Sequence, residues 1–151
     1  MKKLTLCVVA FLLTIGSVWA QSDFEAKAKR NFSASILDSV QMDNGKGEIV
    51  FKDNQKMPSY FRTGDKINKI FAIESARLFR DVADLQALTM TIPLQEKTHF
   101  MSISREAINK FYGLDFAAMK GNPDAWRSEF IRKYDSKKSR AAFAAEFVKS
   151  E

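Results

Sequence analysis

Between Asp65 and Ile103 the apolar residues change period, from that of a helix to that of a strand, and this switch predicts a mixed fold. Ile67, Phe71, Leu78, Val82 and Leu85 follow helical spacing, and Ile70, Ile73 and Phe79 widen the stripe. A central helix over 65–85 is therefore expected, buried along one broad face and interrupted at Glu74 and Ser75. Thr63 can cap it, and Asp65 sets a carboxylate among the unpaired amides of its first turn.

The next segment alternates. Leu88, Met90 and Ile92 oppose Thr89 and Thr91, and His99, Met101 and Ile103 oppose Thr98, Phe100 and Ser102. Pro93 and the short turn at Leu94-Gln95-Glu96-Lys97 separate the two runs, which predicts an antiparallel hairpin. The expected class is α+β, a small antiparallel sheet with a central packed helix across it and C-terminal helices completing the core.

The flanks supply the remaining elements. Asp43-Asn44-Gly45-Lys46-Gly47 has the residues of a tight turn, and Ile49-Val50-Phe51 reads as a short strand after it. Phe32, Ile36 and Val40 recur every four residues, as in a helix, yet the stretch from Ser33 suits a strand equally well. Asp53-Asn54-Gln55-Lys56 and Pro58 read as loop, with Tyr60 and Phe61 either packing it down or forming an aromatic contact. Ser104 caps a helix that turns Ala107, Ile108, Phe111 and Tyr112 inward and ends at Gly113. Asn122-Pro123-Asp124 is a cap, a first-turn proline and a first-turn acid, and Trp126 and Phe130 share the face that follows. A last helix starts at Asp135 or Ser136, with Phe143, Ala144, Phe147 and Val148 on its apolar side.

The N-terminus limits how such a fold can be stabilised. Lys2 and Lys3 precede an apolar run from Leu4 to Ile15, and Val18-Trp19-Ala20 fits the positions a signal peptidase inspects. The expectation is a signal peptide over 1–20, cleaved before Gln21, with 21–151 as a single α+β domain. The run falls short of the about 20 residues that span a bilayer. Cys7, the one cysteine, leaves with it. A lipid anchor at Cys7 is rejected, because acylation there would leave most of the apolar run on the mature chain. The remaining domain has no disulfide and no thiolate chemistry, so a hydrophobic core alone must hold it. Periplasmic localisation is expected, with release to the medium as the alternative.

Charge and motifs narrow function further. The formal charge is +6; without Lys2 and Lys3 the 24 basic residues become 22 against 18 acidic ones, giving +4. His99 is the sole histidine and has no local partner, so a metal or catalytic role is not expected of it. Ser102 and Ser104 read as strand surface and helix cap, with no Gly-x-Ser-x-Gly around them. Asp81 and Asp84 read as surface ion-pairing residues, and the acids after Asp43 lack the spacing of a calcium loop. No catalytic residue, cofactor or metal is therefore expected, and an enzyme with a dispersed site around His99 is the distant alternative.

One charge feature stands out. Arg127, Arg132, Lys133, Lys137, Lys138 and Arg140 crowd a stretch whose acids are Glu129 and Asp135. Trp126, Phe130, Arg132, Lys133, Lys137, Lys138 and Arg140 form the candidate partner-binding surface, directed at an envelope protein or an anionic envelope surface. The bland alternative makes the aromatics core and the cations solvent cover. A groove for a small apolar ligand between the terminal helices and the sheet is the second functional reading. Nucleic acid is not expected, because no binding module is present and the chain is exported. The combined expectation is an exported, non-enzymatic binding or accessory protein.

Overall fold

The computed structural model describes residues 4–53, 64–94 and 96–151, with side chains from Val18 onward. Pro58, Tyr60, Phe61 and Thr63 lie outside the described residues, and so do the loop packing and the cap expected of them. The first helix, α1 (Leu4–Phe32), runs unbroken through the expected cleavage junction at Ala20 and Gln21. Phe24, Ala28 and Phe32 bury one side of its second half. Gln21 accepts a hydrogen bond from the Met42 amide through its side-chain carbonyl, tying the helix to the first strand. No helix among the described residues is long and apolar enough to cross a membrane.

The ambiguous stretch after Phe32 is a junction. A 3-10 turn at Ala34–Ile36 leads into β1 (Leu37–Asp43), so the four-residue recurrence of Phe32, Ile36 and Val40 spans a helix end. Asn44 and Gly45 form a two-residue turn with φ of 47° and 76°, the left-handed pair that a tight hairpin needs. It closes onto β2 (Lys46–Phe51). The central helix, α2, comprises Gly64–Lys69, a π-helical segment at Ile70–Glu74, and Ser75–Asp81. It ends before the expected Leu85: Val82 is extended, and Leu85 is buried in the turn that follows.

The hairpin is where its alternation puts it, with β3 (Ala87–Leu94) antiparallel to β4 (Lys97–Ser104) from Ala87 opposite Ser104 to Leu94 opposite Lys97. Helix α3 (Arg105–Tyr112) follows. Its cap, Ser104, accepts from the Ala107 amide at 3.1 Å, and Gly113 ends it with φ 65°. Helix α4 comprises Pro123–Ala125, a π-helical segment at Trp126–Ile131, and Arg132–Tyr134, and Asn122 caps it by accepting from the Ala125 amide at 3.0 Å. Helix α5 (Lys137–Phe147) is capped by Ser136, and Val148 turns its end into a short last strand, β5 (Val148–Ser150).

The five strands lie in the order β1-β2-β3-β4-β5. The class is α+β as expected, but the sheet is mixed, because β2 and β3 run parallel. The crossover through α2 accounts for this: a connection long enough to hold a helix can return the chain in its original direction, which a tight turn cannot. Paired register puts Ile49, Met90 and Met101 on one face, and Val50, Thr91 and Phe100 on the other. The first face joins α1 to α5 in one hydrophobic cluster reaching from Phe24 to Phe143. The second is a Thr-rich surface of half-buried and exposed residues.

The C-terminal end of α2 is closed by a residue from far along the chain. Arg105 donates from Nη1 to the Phe79 carbonyl, from Nη2 to Val82 and from Nε to Leu85, each at 2.8 Å. These carbonyls lie at or just past a helix end, where partners are otherwise missing and a cation is favoured by the helix dipole.

Candidate functional site

The expected partner-binding residues divide into three groups. Trp126 is 8% exposed and Phe130 is fully buried, their ring centroids 4.5 Å apart. Phe130 packs edge-on against Tyr112 and Phe116, and the Arg80 guanidinium lies 4.2 Å above the Trp126 ring. These aromatics therefore lie in the core between α3 and α4 and not on an open contact surface. Tyr134 donates to the Tyr112 carbonyl at 2.8 Å and Tyr112 to the Ala72 carbonyl at 3.1 Å, which stitches α4 and α3 to the middle of α2. Burial, reinforced by Tyr134, pushes the Tyr112 phenol well above its usual range, so it stays protonated as a donor.

Arg140 forms the second group alone. Its side chain is mostly buried and forks onto Asp65, with Nη2 to Oδ2 at 2.9 Å, while Nη1 pairs with Asp135. Lys69 reaches the other oxygen of Asp135 at 3.1 Å. The chain Asp65–Arg140–Asp135–Lys69 locks α5 and the end of α4 to the first turns of α2, a structural role the sequence pattern did not reveal.

Arg132, Lys133, Lys137 and Lys138 are the third group. All four are exposed at the corner where α4 meets α5. Among the described residues none of them pairs with a carboxylate. The corner beneath them is fixed by the buried aromatics and the Arg140 network.

His99 sits at the end of the core face of β4, and its Nδ1 lies 2.8 Å from the Ser150 hydroxyl. Desolvation, then the neighbouring Lys97, lowers its pKa and favours the neutral ring. Among the described residues no carboxylate pairs with it, and no group of three or more potential metal ligands occurs. This arrangement gives His99 a partner at the sheet edge but no acid to form a catalytic relay.

A second site emerges where the end of α1 faces α2. Arg30, Asn31, Phe32 and Ser33 on one side, with Lys66, Lys69, Ile70 and Glu74 on the other, line a cleft of about 380 Å³. Ser33 holds φ 67° with ψ 129°, a conformation that L-residues rarely adopt. Ile70–Glu74 is the π-helical segment of α2, a distortion often retained at functional sites. Among the described residues, the buried side-chain polar atoms without a hydrogen-bond partner are Asn31 Nδ2 and Glu74 Oε2, both belonging to residues of this cleft. Arg77 Nη1 is 3.1 Å from Glu74 Oε2 as an ion pair, but without hydrogen-bond alignment. An unsatisfied buried group costs about 1–3 kcal/mol. Desolvation raises the Glu74 pKa against the opposing pull of Arg77 and Lys69.

The sequence carried one trace of this cleft. The break in apolar spacing at Glu74 and Ser75 falls where the π-helical segment ends, and it places a carboxyl beside the buried residues Ile70, Phe71, Ala72, Ile73 and Ala76. Nothing local linked it to Asn31, which arrives from a helix more than forty positions earlier. No protein-family model, curated protein or solved structure matches the chain.

Proposed function

We propose that the protein is an exported, non-enzymatic binding protein whose basic corner at α4 and α5 docks on an acidic surface of a partner protein in the periplasm. The observation that carries this reading is the set Arg132, Lys133, Lys137 and Lys138, four exposed cations within seven residues, unpaired among the described residues. Unpaired charge on a rigid support steers encounter and selects partners of opposite sign.

An anionic bilayer is the weaker occupant. Each cation near such a surface contributes about 1 kcal/mol, so four supply about 4 kcal/mol, a millimolar affinity. Stable residence needs a second anchor. The large apolar residues exposed among the described residues are Val18, Trp19 and Phe100. Val18 and Trp19 leave with the proposed signal peptide, and Phe100 lies on the open face of the sheet. A protein partner can add shape-complementary contacts that a lipid headgroup layer cannot.

The test is capture from the native envelope with protein starting at Gln21, at low and high salt. One discrete protein should be retained at low salt and released at high salt. Alanine at Arg132, Lys133, Lys137 and Lys138 together should abolish retention, while alanine at four other exposed cations should not. Retention that ignores salt, or that survives the corner substitutions, contradicts the reading.

A further inference from the structure

We infer that Asn44, in the turn between β1 and β2, is a site of spontaneous deamidation whose isoaspartate product undocks that turn from the start of β3. The Asn44 side chain is exposed, so water reaches it, and its Nδ2 donates to Asp43 Oδ2 at 3.1 Å. The next residue is glycine, so no side chain screens the backbone nitrogen beside the Asn44 carboxamide. The reaction is intramolecular and needs only water as co-reactant. The Gly45 nitrogen bonds to Asn44 Cγ and closes a cyclic imide. The Cγ–Nδ2 bond breaks, and the Gly45 amide proton leaves with Nδ2 as ammonia. Water then opens the imide at either carbonyl. Opening at the side-chain carbonyl leaves aspartate in a normal backbone. Opening at the main-chain carbonyl leaves isoaspartate, in which the main chain runs on through Cβ and Cγ.

The fold makes that longer backbone consequential. Asn44 and Gly45 are the whole of the turn, with Asp43 opposite Lys46, and a two-residue turn does not accommodate an extra main-chain atom. The Gly45 carbonyl accepts from the Gln86 amide at 2.7 Å and from the Ala87 amide at 3.1 Å. A Cβ on Gly45 would lie 2.9 Å from the Asp84 carbonyl oxygen, so the turn sits directly against the segment between α2 and β3. The Gln86 carbonyl accepts from the Arg105 amide at 2.8 Å, and the Arg105 side chain clamps the end of α2. Lengthening the turn displaces the Gly45 carbonyl, deprives two amides of their acceptor and loosens the junction of β2, β3, α2 and α3. The same contacts restrain the native turn, so the imide forms when the turn opens locally. Aspartate at 44 keeps the backbone length and suits the same turn, so it leaves the junction intact. The turn shares no residue with the four-cation corner, so the two readings fail separately.

The experiment stores the purified protein, as processed by the cell, in mildly alkaline buffer at growth temperature. Peptide mapping by mass spectrometry follows every asparagine, and chromatography separates protein carrying isoaspartate at position 44 from protein carrying aspartate there. Asn44 should convert before any other asparagine, with isoaspartate as the main product. The isoaspartate form should melt about 5 °C or more below unaged protein, because two hydrogen bonds of the junction are lost. Asn44→Asp should melt within about 2 °C of the wild type, as a surface substitution. Asn44→Gly, which has no carboxamide, should keep its melting temperature through the same storage. Asn44 that stays intact overturns the proposal, and so does another asparagine converting first. An isoaspartate form that melts with Asn44→Asp, or an equal loss on storage in Asn44→Gly, also overturns it.

Discussion

At the scale of single residues, the legible features were those whose partner lies within one turn. Ser104, Asn122 and Ser136 each accept from an amide three residues on. Their side-chain type therefore reveals the helix start without knowledge of the fold. Arg105, Arg140 and Tyr112 were not legible, because each acts on backbone or carboxylates tens of positions away. Glu74 was half legible, visible as a break in the stripe but not as the wall of a cleft. Its burial makes a pH prediction. The folded-state pKa lies above the ordinary 4.5, so the folded protein keeps a proton that the unfolded chain releases. The destabilisation from Glu74 is therefore absent below 4.5, grows as pH rises to the folded value, and is constant beyond it. Glu74→Gln removes this dependence. Melting temperatures measured across that window should show the variant gaining on the wild type as pH increases; parallel curves contradict the burial account.

At the scale of elements, alternation specified β3 and β4 well, since each has one buried face and a one-residue slip would expose it. It could not specify β5, whose Val148–Ser150 follows helix α5 directly and is defined by pairing with the edge of β4. Nor could it reveal that β2 pairs with β3, a contact made through the whole crossover. The seat of α1 on the sheet depends on Gly47 in β2. A Cβ there would lie 2.6 Å from Phe24 Cζ and 2.8 Å from Leu85 Cδ1, and both of those side chains are fully buried. Gly47→Ala should cost about 1–3 kcal/mol by overpacking. In a Phe24→Leu background the penalty should shrink, because the shorter side chain removes the ring atom closest to the added methyl. Denaturation midpoints of the two single variants and the double variant measure this coupling. Strict additivity would mean that Gly47 is needed for some reason other than α1.

At the scale of the whole molecule, charge and aromatics separate. The aromatics that accompany the basic run in sequence form the core between α2, α3, α4 and α5, and four of the cations stay outside with no carboxylate among the described residues. Local sequence could not make that separation, because Trp126 and Arg127 are neighbours in the chain and point to different environments. One hydrophobic cluster from Phe24 to Phe143, with no cysteine among its residues, joins the helices to the sheet. The proposed docking surface is the corner of Arg132, Lys133, Lys137 and Lys138. Its most direct test places a photo-crosslinking amino acid at position 133 or 137 in the native cells, with position 110 on α3 as control. A discrete protein adduct from 133 and 137, absent from 110 and lost in high salt, is the predicted result. Equal labelling from all three positions, or no protein adduct from the corner, would contradict it.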